Sequence, residues 1–477
     1  MSVGQGNLPP GPRSLREILE VIKLRKRDPI GLYLKLFQKY GDVIYFRVGS
    51  NQFCILSDPE AAQYVLQTHA KRYPKSSGLK RYSSFLGNGL LINEGESWRR
   101  QRRLVAPAFL RERLADYSRQ MASIVQSSVI EWSERIRSES VIDVASEMNK
   151  FTLKVMGETL LGSDPSARAS EVAEAAIYIC RHVDAQLLSP FRILDFLMPF
   201  KDQPFSFWLS SILPSEANRV FNRELKKLDQ IVYGIIQMRR QELNAGAPQR
   251  KDLLSILLTA LDEDDKTGMT DQQLRDEVMT MFLAGHETTA ISLAWTFYLL
   301  AKNPDQMAAV REELSRELAG KAPSFDDLPR LKKTLHAFEE SLRLYPPFWR
   351  ISRQATEDDQ IQGYFIPKGT MVIASQYLIH RNPKIWENPD EYLPDRFEDS
   401  TARHRFSFIP FGAGARVCIG TNFAVLEAVL IIANLIQNFE FELVNPDKEP
   451  AHEAHITYRI LGGLPMKVRA IRKEKCS

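Results

Sequence analysis

The chain has 477 residues, 44% hydrophobic and 26% charged, with a formal net charge of +4, which is ordinary for a soluble globular protein and gives no sign of a nucleic-acid partner. Four scattered cysteines (Cys54, Cys180, Cys418, Cys476) form no CxxC pair, so a reducing compartment fits and a disulfide scaffold does not. No low-complexity linker, internal repeat or composition break divides the chain, and one large domain over 1–477 is expected.

Met1 to Pro12 is polar and runs into N-L-P-P-G-P, with no long apolar segment and no signal-peptide pattern. The basic run Lys23 to Arg27, K-L-R-K-R, reads as a solvated face or as a contact for anionic lipid. Asp28-Pro29 opens a helix that Gly41 closes. Val43 to Val48 and Gln52 to Leu56 read as two strands joined through Gly49-Ser50-Asn51, and Ser57-Asp58-Pro59 caps the next helix. Residues 78–92 form a glycine-punctuated loop of aromatic and aliphatic residues. In S-W-R-R-Q-R-R, residues 97–103, Trp98 and Arg102 share one helix face, where an indole N–H and a guanidinium can together hold a carboxylate. Arg99, Arg100 and Arg103 read as a solvated face or as a docking patch for an acidic partner. A nucleic-acid patch ranks last, because nothing aromatic or glycine-rich accompanies them. From about 110 to 265 the pattern is helical, broken at Pro190, Pro199, Pro204 and Pro214; Phe191, Phe196 and Phe200 are either an access route or ordinary core.

Residues 279–300 predict one apolar helix long enough to span a membrane. Its centre, A-G-H-E-T-T, argues otherwise, since a carboxylate and two hydroxyls are costly in lipid or in a dry core without a task. Threonines bond back to the previous turn and bend a helix, with Gly285 easing the distortion. An acid beside an alcohol suits proton delivery to a buried ligand; the alternative is a polar kink satisfied by water. His286 reads as a hydrogen-bonded neighbour. Glu340 and Arg343, in E-S-L-R, are worth only about 0.2–0.5 kcal/mol as a lone helical pair. G-Y-F-I-P-K-G-T is hairpin chemistry, and I-T-Y-R-I-L-G-G-L-P-M-K-V-R is expected to form a hairpin turning at Gly462-Gly463. His452 and His455 read as a solvated loop rather than a metal pair.

Phe408 to Gly420 reads F-I-P-F-G-A-G-A-R-V-C-I-G, in which Pro410, Gly412, Gly414 and Gly420 allow tight backbone approaches. Cys418 lies at the entrance of an apolar helix, where free N–H groups and the helix dipole favour the thiolate. Such a cysteine is either a small buried hydrophobe or a ligand for a soft metal. Phe411, Gly412, Gly414, Arg416, Cys418 and Gly420 match, position for position, the F-G-x-G-x-R-x-C-x-G heme-binding signature, so the chain resembles the cytochrome P-450 (heme-thiolate monooxygenase) family. A-G-H-E-T-T is similar to that family's [A/G]-G-x-[D/E]-T-[T/S] and E-S-L-R to its E-x-x-R, and the motifs fall in the expected order over about the whole chain.

The resemblance implies a mainly α fold with a smaller β-rich portion. Heme b (iron protoporphyrin IX) would lie between the helix of Thr288 and the loop of Cys418, which ligates the iron. By the same resemblance Trp98, Arg102 and Arg353 reach heme propionates, and Phe411 and Arg416 also belong to the cofactor site. Glu287 and Thr288 are the acid and alcohol of oxygen activation, and Glu340, Arg343 and Arg396 form a structural triad. Leu91, Ala284, Phe348 and Trp349 line the substrate pocket, closed on its far side by Ile456 to Arg459; whether Arg350 faces inward stays open. The implied activity inserts one oxygen atom from O2 into a lipophilic substrate, a fatty acid or a terpenoid, as in soluble fatty-acid hydroxylases. Electrons would come from a ferredoxin or flavodoxin with its reductase, because no flavin or iron–sulfur motif is fused to the chain. Membrane-bound members carry an anchor ahead of the proline-rich stretch, and this chain begins where that anchor would end. A cytoplasmic monomer of prokaryotic type, without a membrane span, is therefore expected. A heme-binding sensor or a peroxide-using relative is the alternative, against which the intact Glu287-Thr288 pattern argues.

Overall fold

Several helices begin where the sequence supplies a side-chain oxygen for the unpaired N–H groups of a first turn. Ser14 caps α1 (Leu15–Arg27) in a capping box with Glu17, Asp28 caps α2 (Pro29–Tyr40), and Asp58 caps α3 (Pro59–Gln63). In chain order there follow α4 (Ser83–Leu86), α5 (Gly95–Val105), α6 (Arg111–Arg135), α7 (Val144–Met156), α8 (Glu216–Asn244), α9 (Leu253–Thr259), α10 (Asp271–Lys302), α11 (Pro304–Leu318), α12 (Lys332–Leu344), α13 (Gln376–Ile379) and α14 (Thr421–Asn438). This computed structural model describes residues 7–471 apart from 77–81, 137–139, 249, 265, 400, 402 and, with the exception of 175, 178, 179 and 182, 163–214. Cys180, Cys476, Phe191, Phe196, Phe200 and the four prolines from Pro190 to Pro214 lie outside the described residues.

The strands are short, so the fold is mainly α with a smaller β portion, as expected. The predicted hairpin of β1 (Val43–Val48) and β2 (Asn51–Leu56) heads a four-stranded sheet of order β1-β2-β7-β4, completed by β4 (Ile351–Gln354) and β7 (Met371–Ala374). Elsewhere β5 (Asp359–Ile361) pairs with β6 (Tyr364–Ile366), and a three-stranded sheet has the order β3 (Val141–Asp143), β11 (Pro465–Ala470), β8 (Phe439–Leu443). The C-terminal expectation needs correcting. β10 (Tyr458–Ile460) pairs with β9 (His452–Ala454), so the hairpin turns over 455–457, and Gly462-Gly463 carries the chain across to another sheet. Asp143 draws it there, accepting the Leu464 N–H at 2.8 Å.

α10 organises the interior. Thr270 and Gln273 form its capping box, and its 32 residues make it about 48 Å long. Its first half, Leu274 to Phe282, belongs to one apolar cluster with α5, α6, α8 and α9; its second half, from Ala290, belongs to another with α7, α12, α14 and β8. Between them the core is interrupted. Leu283, Ala284, Glu287 and Thr288, which share one helix face, are incompletely covered. Thr288 and Thr289 bond back to the carbonyls of Ala284 and Gly285 at 2.7 and 3.1 Å, and Gly285 also has a packing role: a Cβ there would come within 2.7 Å of Met156 Sδ and Cε on α7. α14 alone among the described helices is long and apolar enough to cross a membrane, and its apolar side chains are buried inside the fold.

Candidate active site

The loop of Cys418 is shaped by its own backbone. The Cys418 N–H donates to the Phe411 carbonyl at 2.9 Å, which draws both ends of F-G-A-G-A-R-V-C together. Gly414 has φ +70°, and a Cβ there would lie 2.1 Å from the Leu66 carbonyl oxygen, so only glycine fits. Gly420, with φ −89° and only ordinary contacts for an added Cβ, has no such backbone requirement. Cys418 keeps accessible surface although the surrounding protein desolvates it. Burial pushes the thiol up, and the Gly420 N–H, the Thr421 hydroxyl and Arg102 pull down without overcoming it.

Cations gather around this loop from four separate segments. Arg416 lies 4.0 Å over the Trp98 ring and donates to Glu94 at 2.7 Å and to the Asn93 carbonyl at 3.0 Å. Arg102, on the same α5 face as Trp98, donates to the Val417 carbonyl at 3.0 Å. Arg353 on β4 bonds only the Ser352 carbonyl among the described residues, and Lys75 holds the carbonyls of Leu90, Leu91 and Asn93. Burial, then the neighbouring Arg416, pushes Arg353 down to about 10 and Lys75 down to about 7. Glu94 is the acid shared among them. The cluster is short of negative charge.

On α10, Thr288 donates its hydroxyl to the Ala284 carbonyl at 2.7 Å rather than to Glu287. Glu287 is held instead by Arg459 at 3.2 Å, with Thr457 at 3.5 Å, and Arg459 also pairs with Glu453. His286 is buried against α7, its ring pushed down to about 4 by desolvation and stacked on Phe282. Leu91 and Phe109 pack at the edge of the first apolar cluster, and Phe411 at the edge of the second.

Glu340, Arg343 and Arg396 come together, the first two fully buried and Arg396 nearly so. Both Glu340 oxygens accept from Arg343, at 2.7 and 2.8 Å, and one also accepts from Arg396 at 3.0 Å. The remaining guanidinium donors go to the carbonyls of His380, Pro389, Glu391 and Glu387. With every charge partnered, such a network fixes geometry, and deleting one member would leave buried charge behind. His380 carries the link onward, its Nε2 accepting the Ile409 N–H at 2.9 Å while Gln376 donates to the Ile409 carbonyl at 2.6 Å. α12 is thereby tied to the start of the cysteine loop.

The sequence pattern described as Cytochrome P450 matches residues 9–461. The chain belongs to the cytochrome P450 family. Cyclooctatin synthase of Streptomyces melanosporofaciens is 34% identical over 416 residues, covering 86% of this chain and 85% of its own. Cyclooctat-9-en-7-ol 5-monooxygenase of the same organism is 31% identical over 415 residues, with 86% and 85% covered. A cytokinin hydroxylase of Arabidopsis thaliana is 32% identical, with 86% and 78% covered. This protein is accordingly a cytochrome P450 monooxygenase.

The family implies a heme iron, and the residues here suit one. The Cys418 thiol keeps accessible surface, and beside it, from Arg102 onward, an anion-deficient cation cluster suits the two carboxylates of a porphyrin. Other expected positions differ. Trp349, expected in this cytochrome P450's substrate pocket, is 1% exposed in a separate cluster with Tyr33, Leu36 and Ile44, and its indole donates to the His455 carbonyl at 3.0 Å. Arg350 follows it, its guanidinium 4.7 Å over the Trp349 ring. Phe348, one residue earlier, projects away from that core, bridging Thr457 and remaining 36% exposed. Arg100 and Arg103 are neither a bare solvated face nor a free patch, because they bind Thr267, Asp262 and Asp264 of the loop before α10. Lys75, Glu94, Gln376 and His380 escaped the sequence reading, and Arg459, expected only at the far wall of the pocket, is found holding Glu287. The available signal was a polar pair four apart, Gln376 and His380, within an otherwise apolar run.

Proposed function

We propose that this cytochrome P450 inserts one oxygen atom of O2 into a lipophilic, terpenoid-like substrate, using heme b ligated by Cys418 and electrons from a ferredoxin or flavodoxin with its reductase. The observation that carries the reading is the break in the core at Leu283–Thr288, where an acid and an alcohol stand on an apolar helix that packs in one cluster with α14, the helix that follows Cys418. Heme held by a thiolate supplies the oxygen-activating and oxidising chemistry when bound.

The chain's own groups do the rest. Cys418 would hold the metal, and Trp98, Arg102, Arg353 and Arg416 the propionates, by charge-assisted hydrogen bonds. Lys75 fixes the carbonyls of the loop bearing Leu91 and so sets the roof of the apolar space. Leu91, Ala284 and Phe348 orient the substrate and exclude water. Thr288 and Glu287 move protons inward, the carboxylate being steadied by Arg459 at 3.2 Å. The names of the two Streptomyces relatives support a terpenoid class over a fatty acid.

The test is the reduced, carbon-monoxide-bound absorption spectrum of wild type and Cys418→Ala, followed by heme spectral titration with terpenoid alcohols and with fatty acids. A strongly red-shifted Soret band lost in the variant, with tighter terpenoid binding, is expected. A histidine-type band in wild type would overturn the ligand, and tighter fatty-acid binding would overturn the substrate class.

A further inference from the structure

α1 carries two apolar faces. Ile18, Val21 and Leu24 enter the cluster around Tyr33, Leu36 and Trp349. Leu15, Leu19 and Ile22, at i, i+4 and i+7, form a second stripe that is 76%, 56% and 40% exposed. One exposed leucine is ordinary on a protein surface; a continuous stripe along a helix marks an interaction.

The charges around that stripe are sorted. The helix's two acids are turned onto α2, Glu17 pairing with Lys39 at 2.7 Å and Glu20 with Lys35. Glu17 is further occupied by Tyr40 and by the capping box with Ser14. Arg16, Lys23, Arg25 and Arg27 are exposed. At about 100° per residue, Arg16 and Lys23 flank one side of the stripe and Arg25 the other. Neutralised acids inward and cations bracketing an outward apolar stripe are the pattern of a helix lying in the plane of a lipid–water interface.

We propose that α1 docks this enzyme on the surface of an anionic bilayer, with Leu15, Leu19 and Ile22 inserted at the headgroup level and Arg16 and Lys23 over lipid phosphates. The inference is independent of the substrate reading, and it involves no membrane span. It is tested by sedimenting the full-length holoenzyme with vesicles of phosphatidylglycerol and phosphatidylcholine, and with phosphatidylcholine alone. The variants are L15Q/L19Q/I22Q and R16Q/K23Q, each checked for unchanged melting temperature and heme spectrum. Expected are binding to the anionic vesicles that falls with added salt, and a loss of at least about tenfold in partitioning for the triple variant. Wild type remaining in the supernatant overturns the proposal, as does a triple variant that binds as well as wild type. Self-association lost in the triple variant, without vesicle binding, assigns the stripe to a second copy and also overturns it.

Discussion

Glu277, on the first half of α10, accepts the Leu90 N–H at 3.1 Å and is otherwise sealed from solvent, so desolvation pushes its carboxyl up to about 7, with Asp276 raising it and Lys75 lowering it. The folded protein therefore keeps this proton at pH values where the unfolded chain has lost it, and stability falls as pH rises from about 4.5 to about 7. The shift corresponds to roughly 3 kcal/mol, fully lost above the folded value. Glu277→Gln should flatten the pH dependence of the melting temperature across that window and leave the low-pH value little changed. The residue matters beyond stability because Leu90 precedes Leu91, so the same buried carboxyl pins the loop over the apolar space. Lys75 holds that loop from the other side, through the carbonyls of Leu90, Leu91 and Asn93.

Between elements, two glycines of the family motifs carry different constraints, and substitution separates them. At Gly414 an added Cβ meets the backbone of Leu66 at 2.1 Å, in a segment held by its own helical bonds, and φ is +70°. Neither the backbone nor the dihedral can yield cheaply, so Gly414→Ala should destabilise by more than about 2 kcal/mol and lower the heme retained per chain. At Gly285 the obstacle is the flexible end of Met156, and alanine gains about 1 kcal/mol of helix propensity over glycine. Overpacking of about 1–3 kcal/mol is relieved by a rotamer change, so Gly285→Ala should lie within about 1 kcal/mol of wild type. Thermal denaturation with heme quantitation measures both. Equal losses at the two positions would contradict the assignment of one to backbone and the other to side-chain contact.

Across the whole molecule, the cation cluster assembles Lys75, Arg102, Arg353 and Arg416 from parts of the chain more than three hundred residues apart. Like charges crowded in a desolvated place raise the free energy of the protein until an anion arrives. Removal of the heme should therefore lower the melting temperature, and added salt should stabilise the heme-free protein more than the holoenzyme. Arg353→Met should stabilise the heme-free form while weakening heme retention, read by calorimetry of both forms at low and high ionic strength. The parts of this site that are contiguous in the chain were legible beforehand: the Phe411–Gly420 loop, the A-G-H-E-T-T turn of α10, the Glu340–Arg343 step and the β1–β2 hairpin. In each, fixed spacing on one element or one turn places the side chains together without outside help. What a face meets is a different question. Glu287 finds Arg459 across 172 positions, Trp349 turns to the N-terminal helices, β10 pairs with β9 rather than β11, and Arg103 serves Asp262. Strands of three or four residues are too short for periodicity to select a partner, and a charged side chain pairs with whatever packing brings within reach. Spacing along the chain determined the chemistry of the cysteine loop and the central helix, and only the tertiary structure decided which charges and which pocket walls surround them, because burial and long-range pairing are set by the packing of elements that local sequence does not encode.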